Sequence, residues 1–172
     1  MSKHGAPTTG GDPAADARAG YDYRNDSVER PDLRHGLAAA VEGDVRFDAY
    51  SRSMYATDAS IYEMTPIGVV FPKSTDDIAA AVAYCAERGV AVLPRGGGTS
   101  LAGQTVNEAV VLDFTRYMDD LVAGHPHGRA ATAQPGITFA PPHAAAAPPW
   151  LKFPPPPPAG GEARAGVAHG NT

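Results

Sequence analysis

The stretch that most narrows the fold is "GVVFPKSTDDIAAAVAYCAERGVAVLP", residues 68–94. Its opening, Gly68–Pro72, is a short β-branched run ended by a proline, the pattern of a buried strand. Ser74 is placed to cap a helix, and Asp76 and Asp77 suit the positive end of its dipole. Ile78, Val82 and Cys85 recur at i, i+4 and i+7, which predicts one apolar face, and Gly89 is placed to end the helix. Val90–Pro94 then reads as a second strand. Strand, helix and strand in this order predict a right-handed unit with parallel strands. "AVVLDF", Ala109–Phe114, predicts a third strand, and "ATAQPGITF" predicts the start of a fourth.

The composition shifts on either side of this region. Residues 1–27 are mostly small, polar and punctuated by glycine and proline, and are expected to form a disordered tail. Residues 28–140 are expected to be the folded domain. Residues 141–172 form a Pro/Ala/Gly-rich irregular tail, and ten of the chain's 17 prolines lie at or beyond Pro135. That density excludes a stable helix, and the run Pro154–Pro158 suits polyproline II. At 172 residues the chain can bury one core. A net charge of -5 argues against a nucleic-acid footprint. No apolar run approaches the length of a membrane span, and the N-terminus lacks the apolar segment of a secretory signal. A single cysteine, Cys85, excludes an internal disulfide framework and suits a reducing, cytoplasmic setting.

The second predicted strand runs into "LPRGGGTSLAGQ", Leu93–Gln104. Three consecutive glycines at the C-terminal end of a parallel strand stand where open α/β sheets bind ligands. A Walker A loop would need a lysine where Gln104 stands. A dinucleotide fingerprint would need a third glycine where Leu101 stands. Both motifs also require a helix that starts at the loop, and Leu101–Glu108, with Gly103 and Asn107, leaves no room for one. What fits is an anion cradle of loop backbone alone. Glycine adopts positive φ without steric cost, and successive N–H groups then converge. Thr99 and Ser100 would add hydroxyl donors, Gln104 an amide donor, and Arg95 either charge or an anchor. A glycine-rich turn that holds nothing is the competing reading.

Other chemistry-bearing residues read as structural. Cys85 falls on the apolar helix face and is expected to be a buried thiol. His125 and His127 flank a proline in a loop-like stretch, and the histidines show no metal-ligand spacing. Trp150, Tyr50 and Tyr55 are expected to pack rather than stack on a ligand.

The segments "RFDAYSRSMYATDAS", "VVFPKSTDDIAAAVAYCAERGVAVLPRGGGTSLAGQTV" and "VVLDFTRYM" together resemble the FAD-binding domain of the vanillyl-alcohol oxidase / p-cresol methylhydroxylase type. Within that group they are most similar to the D-lactate dehydrogenase / glycolate oxidase subunit branch, from about Glu42 to Gly136. The resemblance implies an α+β fold, with an N-terminal βαβ subdomain and an incomplete second subdomain. It implies FAD as cofactor, its diphosphate wrapped by Arg95, Gly96, Gly97, Gly98, Thr99 and Ser100, with Gly103 and Gln104 closing the loop. The complete enzyme would oxidise a small 2-hydroxyacid by hydride transfer to the flavin and pass electrons to an acceptor. The chain would be cytoplasmic, or held at a membrane through that acceptor. "LKFPPPPPAGG" and "GVAHGNT" follow the family pattern only in part, with Pro156 where an acid is usual. Catalytic and substrate-binding residues of such enzymes lie beyond the matched part. No catalytic or metal residue is therefore assigned, and this chain by itself is expected to be inactive. A non-catalytic nucleotide- or phosphate-binding module is the alternative.

Overall fold

The computed structural model describes residues 30–125 and 130–138. The two expected tails, the polyproline run, Trp150 and His127 lie outside the described residues. In chain order the elements are helix α1 (Pro31–Ala40), strand β1 (Asp44–Arg46), helix α2 (Ala49–Met54), strand β2 (Gly68–Phe71), helix α3 (Thr75–Ala86) and strands β3 (Val92–Arg95), β4 (Val110–Asp113), β5 (Leu121–His125) and β6 (Ala130–Ala133).

Helix α3 forms where the capping pattern places it. The Ser74 hydroxyl accepts the N–H of Asp77 and satisfies one open donor of the first turn. Gly89, at φ 63°, ends the helix, with its N–H on Ala86 O at 3.1 Å and that of Val90 on Cys85 O at 2.9 Å. This is the Schellman arrangement, which needs a left-handed residue and so favours glycine. The buried row differs from the expected one. Asp77, Ala81 and Cys85 face inward, and Val82 is 42% exposed. One residue turns the helix by about 100°, so centring the face on Ala81 carries Val82 outward. Asp77 is buried for a reason beyond the helix dipole. Its carboxylate accepts the N–H of Glu42 at 2.7 Å and of Lys73 at 2.8 Å, tying the α1–β1 turn to the start of α3.

The main sheet has the order β1-β2-β4-β3. β2 and β3 run parallel, as expected, and β4 lies between these two strands that α3 joins, parallel to both. β1, which the sequence pattern does not predict, pairs antiparallel with β2, Val45 opposite Val70. Val70, Val110 and Leu112 form one core with Leu33, Leu37 and Val41 of the first helical region and with Ala81 and Cys85 of α3. The alternate residues Val69 and Val111 are also fully buried, so both faces of the central strands are covered. Cys85 is buried, as its position on the helix implied. Helix α1 starts at Pro31, whose fixed φ suits a first helical position. It packs on α3 at Gly36, where any Cβ would meet the Tyr84 ring.

The expected fourth strand is present as β6, but it does not extend this sheet. It pairs antiparallel with β5 in a separate two-stranded sheet, and His125 closes β5 rather than lying in a loop. Among the described residues no helix is long and apolar enough to cross a membrane.

Gly43 sets how closely the chain can enter β1, because a Cβ there would collide with the backbone carbonyl of Phe71. Backbone cannot swing aside as a side chain can. Gly43→Ala should therefore destabilise the fold by about 1–3 kcal/mol, the usual cost of overpacking. Urea denaturation measures this, and an unchanged midpoint would refute the close approach.

Candidate functional site

The parallel strands β2, β3 and β4 end at one edge of the sheet, and the glycine loop leaves from β3 at that edge. The last ladder contact is the N–H of Phe114 on Arg95 O at 3.2 Å. From Gly96 the chain returns to the start of β4 without a helix.

Arg95 opens the loop and is buried under it, with 8% of its surface exposed. Its Nη1 donates to Thr105 O at 3.0 Å and Tyr55 O at 3.3 Å, and its Nη2 donates to Thr57 O at 2.8 Å. The guanidinium lies 5.1 Å from the centre of the Tyr55 ring. Burial draws its pKa below the ordinary arginine value, while Tyr55, Asp113 and Asp58 work in the opposite direction. An arginine so placed still carries its charge.

Two carboxylates complete this layer. Asp113, at the end of β4 and 4% exposed, accepts the Tyr55 hydroxyl and, at 2.7 Å, the N–H of Thr115. Burial, and then the hydrogen bond to Asp113, push the Tyr55 phenol well above its ordinary range, so it remains a donor. Asp58 accepts the Thr105 hydroxyl at 2.9 Å and the Ser60 N–H at 2.8 Å. Burial opposes its ionisation, but the hydrogen bonds from Ser60 and Thr105 outweigh it and hold the carboxyl below its ordinary 3.8.

Above this layer the loop residues divide into two groups. Gly98 and Gly103 adopt φ of 67° and 77°. A Cβ on Gly98 would lie 2.6 Å from Nη2 of Arg95, and one on Gly103 would lie 2.6 Å from the Tyr62 ring. These two glycines are required by the protein's own packing. The Ser100 hydroxyl donates to Gln104 Oε1 and accepts the Gln104 N–H, so the two side chains are bonded to each other. The Gly98 carbonyl accepts the N–H of Ala59 at 3.0 Å. Among the described residues no acceptor takes the N–H groups from Gly96 to Gly103, those of Gly97, Gly98 and Thr99 among them, nor the Thr99 hydroxyl. Gly97 is exposed, and Gly96 and Thr99 are half-buried. A run of successive amide donors thus stands at the ligand-facing edge of a parallel sheet, beside a buried cation. That arrangement can bind an oxyanion. It contains no nucleophile or base poised for proton transfer.

All eight residues expected from the sequence lie on this one loop. The sequence did not point to Tyr55, Asp58, Thr105 and Asp113 as its supports. Their segments are legible, but the pairing of Asp58 with Thr105 crosses 47 positions of chain and that of Tyr55 with Asp113 crosses 58.

A family model described as "FAD binding domain" matches residues 66–171. The chain is 32% identical to D-2-hydroxyglutarate dehydrogenase of Pseudomonas putida over 131 residues, which cover 74% of this chain and 13% of that protein. It is 33% identical to the glycolate oxidase subunit GlcD of Bacillus subtilis over 101 residues, 56% of this chain and 22% of that one. The chain therefore spans a small part of the length of these relatives. Among solved structures, 4-ethylphenol oxidase from Gulosibacter chungangensis superposes on 70% of this chain and 25% of its own, with a TM-score of 0.60 at 20% identity. That likeness carries the fold.

Two outcomes test the supporting layer. Tyr55→Phe leaves a buried Asp113 oxygen without its donor and should cost about 1–3 kcal/mol in denaturant titration. No loss would mean that the hydroxyl is dispensable. Asp58 has a lowered folded pKa, so its contribution is present above its unfolded value near 3.8 and is lost as pH falls through the folded value. Wild type should exceed Asp58→Asn in stability at neutral pH, and the gap should close below that range. A gap that widens in acid would reverse the assignment.

Proposed function

The chain belongs to the FAD-binding domain family, and from that premise we propose that the loop Arg95–Gln104 holds the FAD diphosphate in a flavin-dependent 2-hydroxyacid dehydrogenase. The observation that carries this reading is the run of loop N–H groups, Gly97, Gly98 and Thr99 among them, that no acceptor takes among the described residues, beside buried Arg95. In this reading Gly96 and Gly97 keep side chains away from the phosphates, and the amides and the Thr99 hydroxyl donate to them. Gly98, Ser100, Gly103 and Gln104 give the loop its shape. Charge-assisted bonds from backbone N–H to an oxyanion are stronger than neutral ones, so a few suffice to fix the cofactor.

When bound, the flavin supplies the two-electron acceptor that oxidation of an alcohol carbon requires. The protein's part in this segment is to bind and orient. The names of the relatives, a D-2-hydroxyglutarate dehydrogenase and a glycolate oxidase subunit, support a small 2-hydroxyacid as substrate of the whole protein. The reaction would convert the hydroxyl-bearing carbon to a ketone or aldehyde, with both electrons leaving through the flavin to an acceptor.

Gly97 offers a clean test, because it is exposed and is not among the positive-φ glycines. Valine there should fold normally and cover the mouth of the cradle. FAD titration of the 172-residue chain should show saturable binding that ADP competes away. Gly97→Val should weaken FAD binding by about tenfold or more, a loss of roughly 1.4 kcal/mol, with an unchanged melting midpoint. Undiminished binding by that variant would remove the loop from the cofactor site. Equal affinity for FAD, ATP and inorganic diphosphate would favour a general phosphate-binding module.

A further inference from the structure

The Arg95 side chain is the strongest cationic feature of the loop, and a cation beside a diphosphate invites assignment as a phosphate ligand. The geometry points to a different role: Arg95 is a positioning residue that locks both ends of the loop from below and holds its amide donors in place for the anion. This rests on the reading of the loop as a diphosphate site.

The three Arg95 bonds reach Tyr55, Thr57 and Thr105 carbonyls, and they leave from two different terminal nitrogens. Arg95 itself begins the loop and Thr105 follows its last residue, so one side chain bridges the loop's mouth. The Tyr55 and Thr57 carbonyls fasten that bridge to the turn after α2. The same turn reaches the loop twice more, through Ala59 N–H on Gly98 O and through Asp58 on Thr105. Gly98 then crosses directly over the guanidinium, at a separation that leaves no room for a Cβ. A group capped by the loop's own backbone cannot also reach a ligand beyond that backbone without the loop opening.

The charge still contributes. Among the described residues no carboxylate lies within ion-pair distance of the guanidinium. Asp113 and Asp58 act on it only from longer range, so its positive field at the loop is reduced but not cancelled. Carbonyl dipoles relieve its desolvation without cancelling its charge. Arginine is required rather than any cation, since lysine is a single point donor and cannot serve acceptors that lie on two sides of a planar fork.

Arg95→Lys separates the two roles, because it keeps the charge and removes the fork. In the ligand-free chain, amide hydrogen exchange at Ala59, Gln104 and Thr105 should accelerate about tenfold or more, with Val70 and Leu112 still protected. Affinity for ADP should fall by a comparable factor, and Arg95→Gln should be no worse than twofold to threefold below Arg95→Lys. A phosphate ligand would give the opposite result, with Arg95→Lys near wild type in both measurements and Arg95→Gln far weaker.

A second measurement needs no variant. Nitrogen–proton NMR of the unmutated chain should show the Arg95 guanidinium protons exchanging slowly without ligand, and shifting little when ADP is added. Fast exchange without ADP, or a large shift with it, would overturn the anchor. If wild type binds no ADP, the diphosphate reading fails, and the ligand-free exchange data still decide whether Arg95 is an anchor.

Discussion

The structure turns on a parallel crossover made without a helix. β3 and β4 are adjacent and parallel, so the chain must return the full length of the sheet between them. A helix would satisfy its own backbone on the way. The segment from Gly96 to Ala109 has none, and each buried N–H and C=O needs another partner. Side chains provide several of them. Arg95 takes the Thr105 carbonyl, Asp58 the Thr105 N–H, and Ser100 the Gln104 N–H. The turn after α2 takes the Gly98 carbonyl through Ala59. Among the described residues no acceptor takes the N–H groups from Gly96 to Gly103, and those of Gly97, Gly98 and Thr99 lie where the sheet presents its C-terminal edge. Binding capacity thus comes from loop amides that neither a helix nor a side chain takes up among the described residues.

This account explains which parts of the fold could be read from the chain. β2, α3, β3, β4 and the stop at Gly89 depend on local signals, namely β-branched runs, a serine cap and a glycine with positive φ. They are where the sequence pattern places them. Strand order is different, because nothing within the β2–α3–β3 stretch encodes that β4 inserts at its centre. Val69–Val70 and Val110–Leu112 are apolar on both faces, so alternation cannot report a neighbour. β1 is three residues long with one buried-side valine, too short for any period to register. A valine weighs more than an alanine in apolar periodicity, which draws Val82 onto the expected face, although Ala81 is the residue that packs in the core with Leu33 and Leu37.

The site was legible as a loop and illegible as a mechanism of support. Consecutive glycines before Thr99 and Ser100 announce close approach, but not to what. Two of the four glycines approach the protein itself: Gly98 the Arg95 guanidinium, and Gly103 the Tyr62 ring. Only contact geometry distinguishes these from Gly96 and Gly97. Tyr55, Asp58 and Asp113 look, in sequence, like ordinary polar residues at a helix end, a turn and a strand end. Their meeting under the loop depends on chain segments brought together from far apart, which no local pattern records.

The same geometry bears on how a weakly structured loop can hold a large anion. A mobile glycine-rich segment would lose backbone entropy on binding, of the order of 1–2 kcal/mol per residue fixed. That cost would consume much of what a few amide–phosphate bonds return. In this chain the ordering is carried by the fold. Thr105 is fully buried, Arg95 and Ser100 nearly so, and Gly98 is fixed from both sides, by Ala59 on its carbonyl and by the guanidinium beneath it. The glycines then serve as thin backbone over a rigid floor rather than as flexible chain. Their lack of side chains matters more than their freedom, and the floor that makes this so is contributed by residues outside the glycine motif.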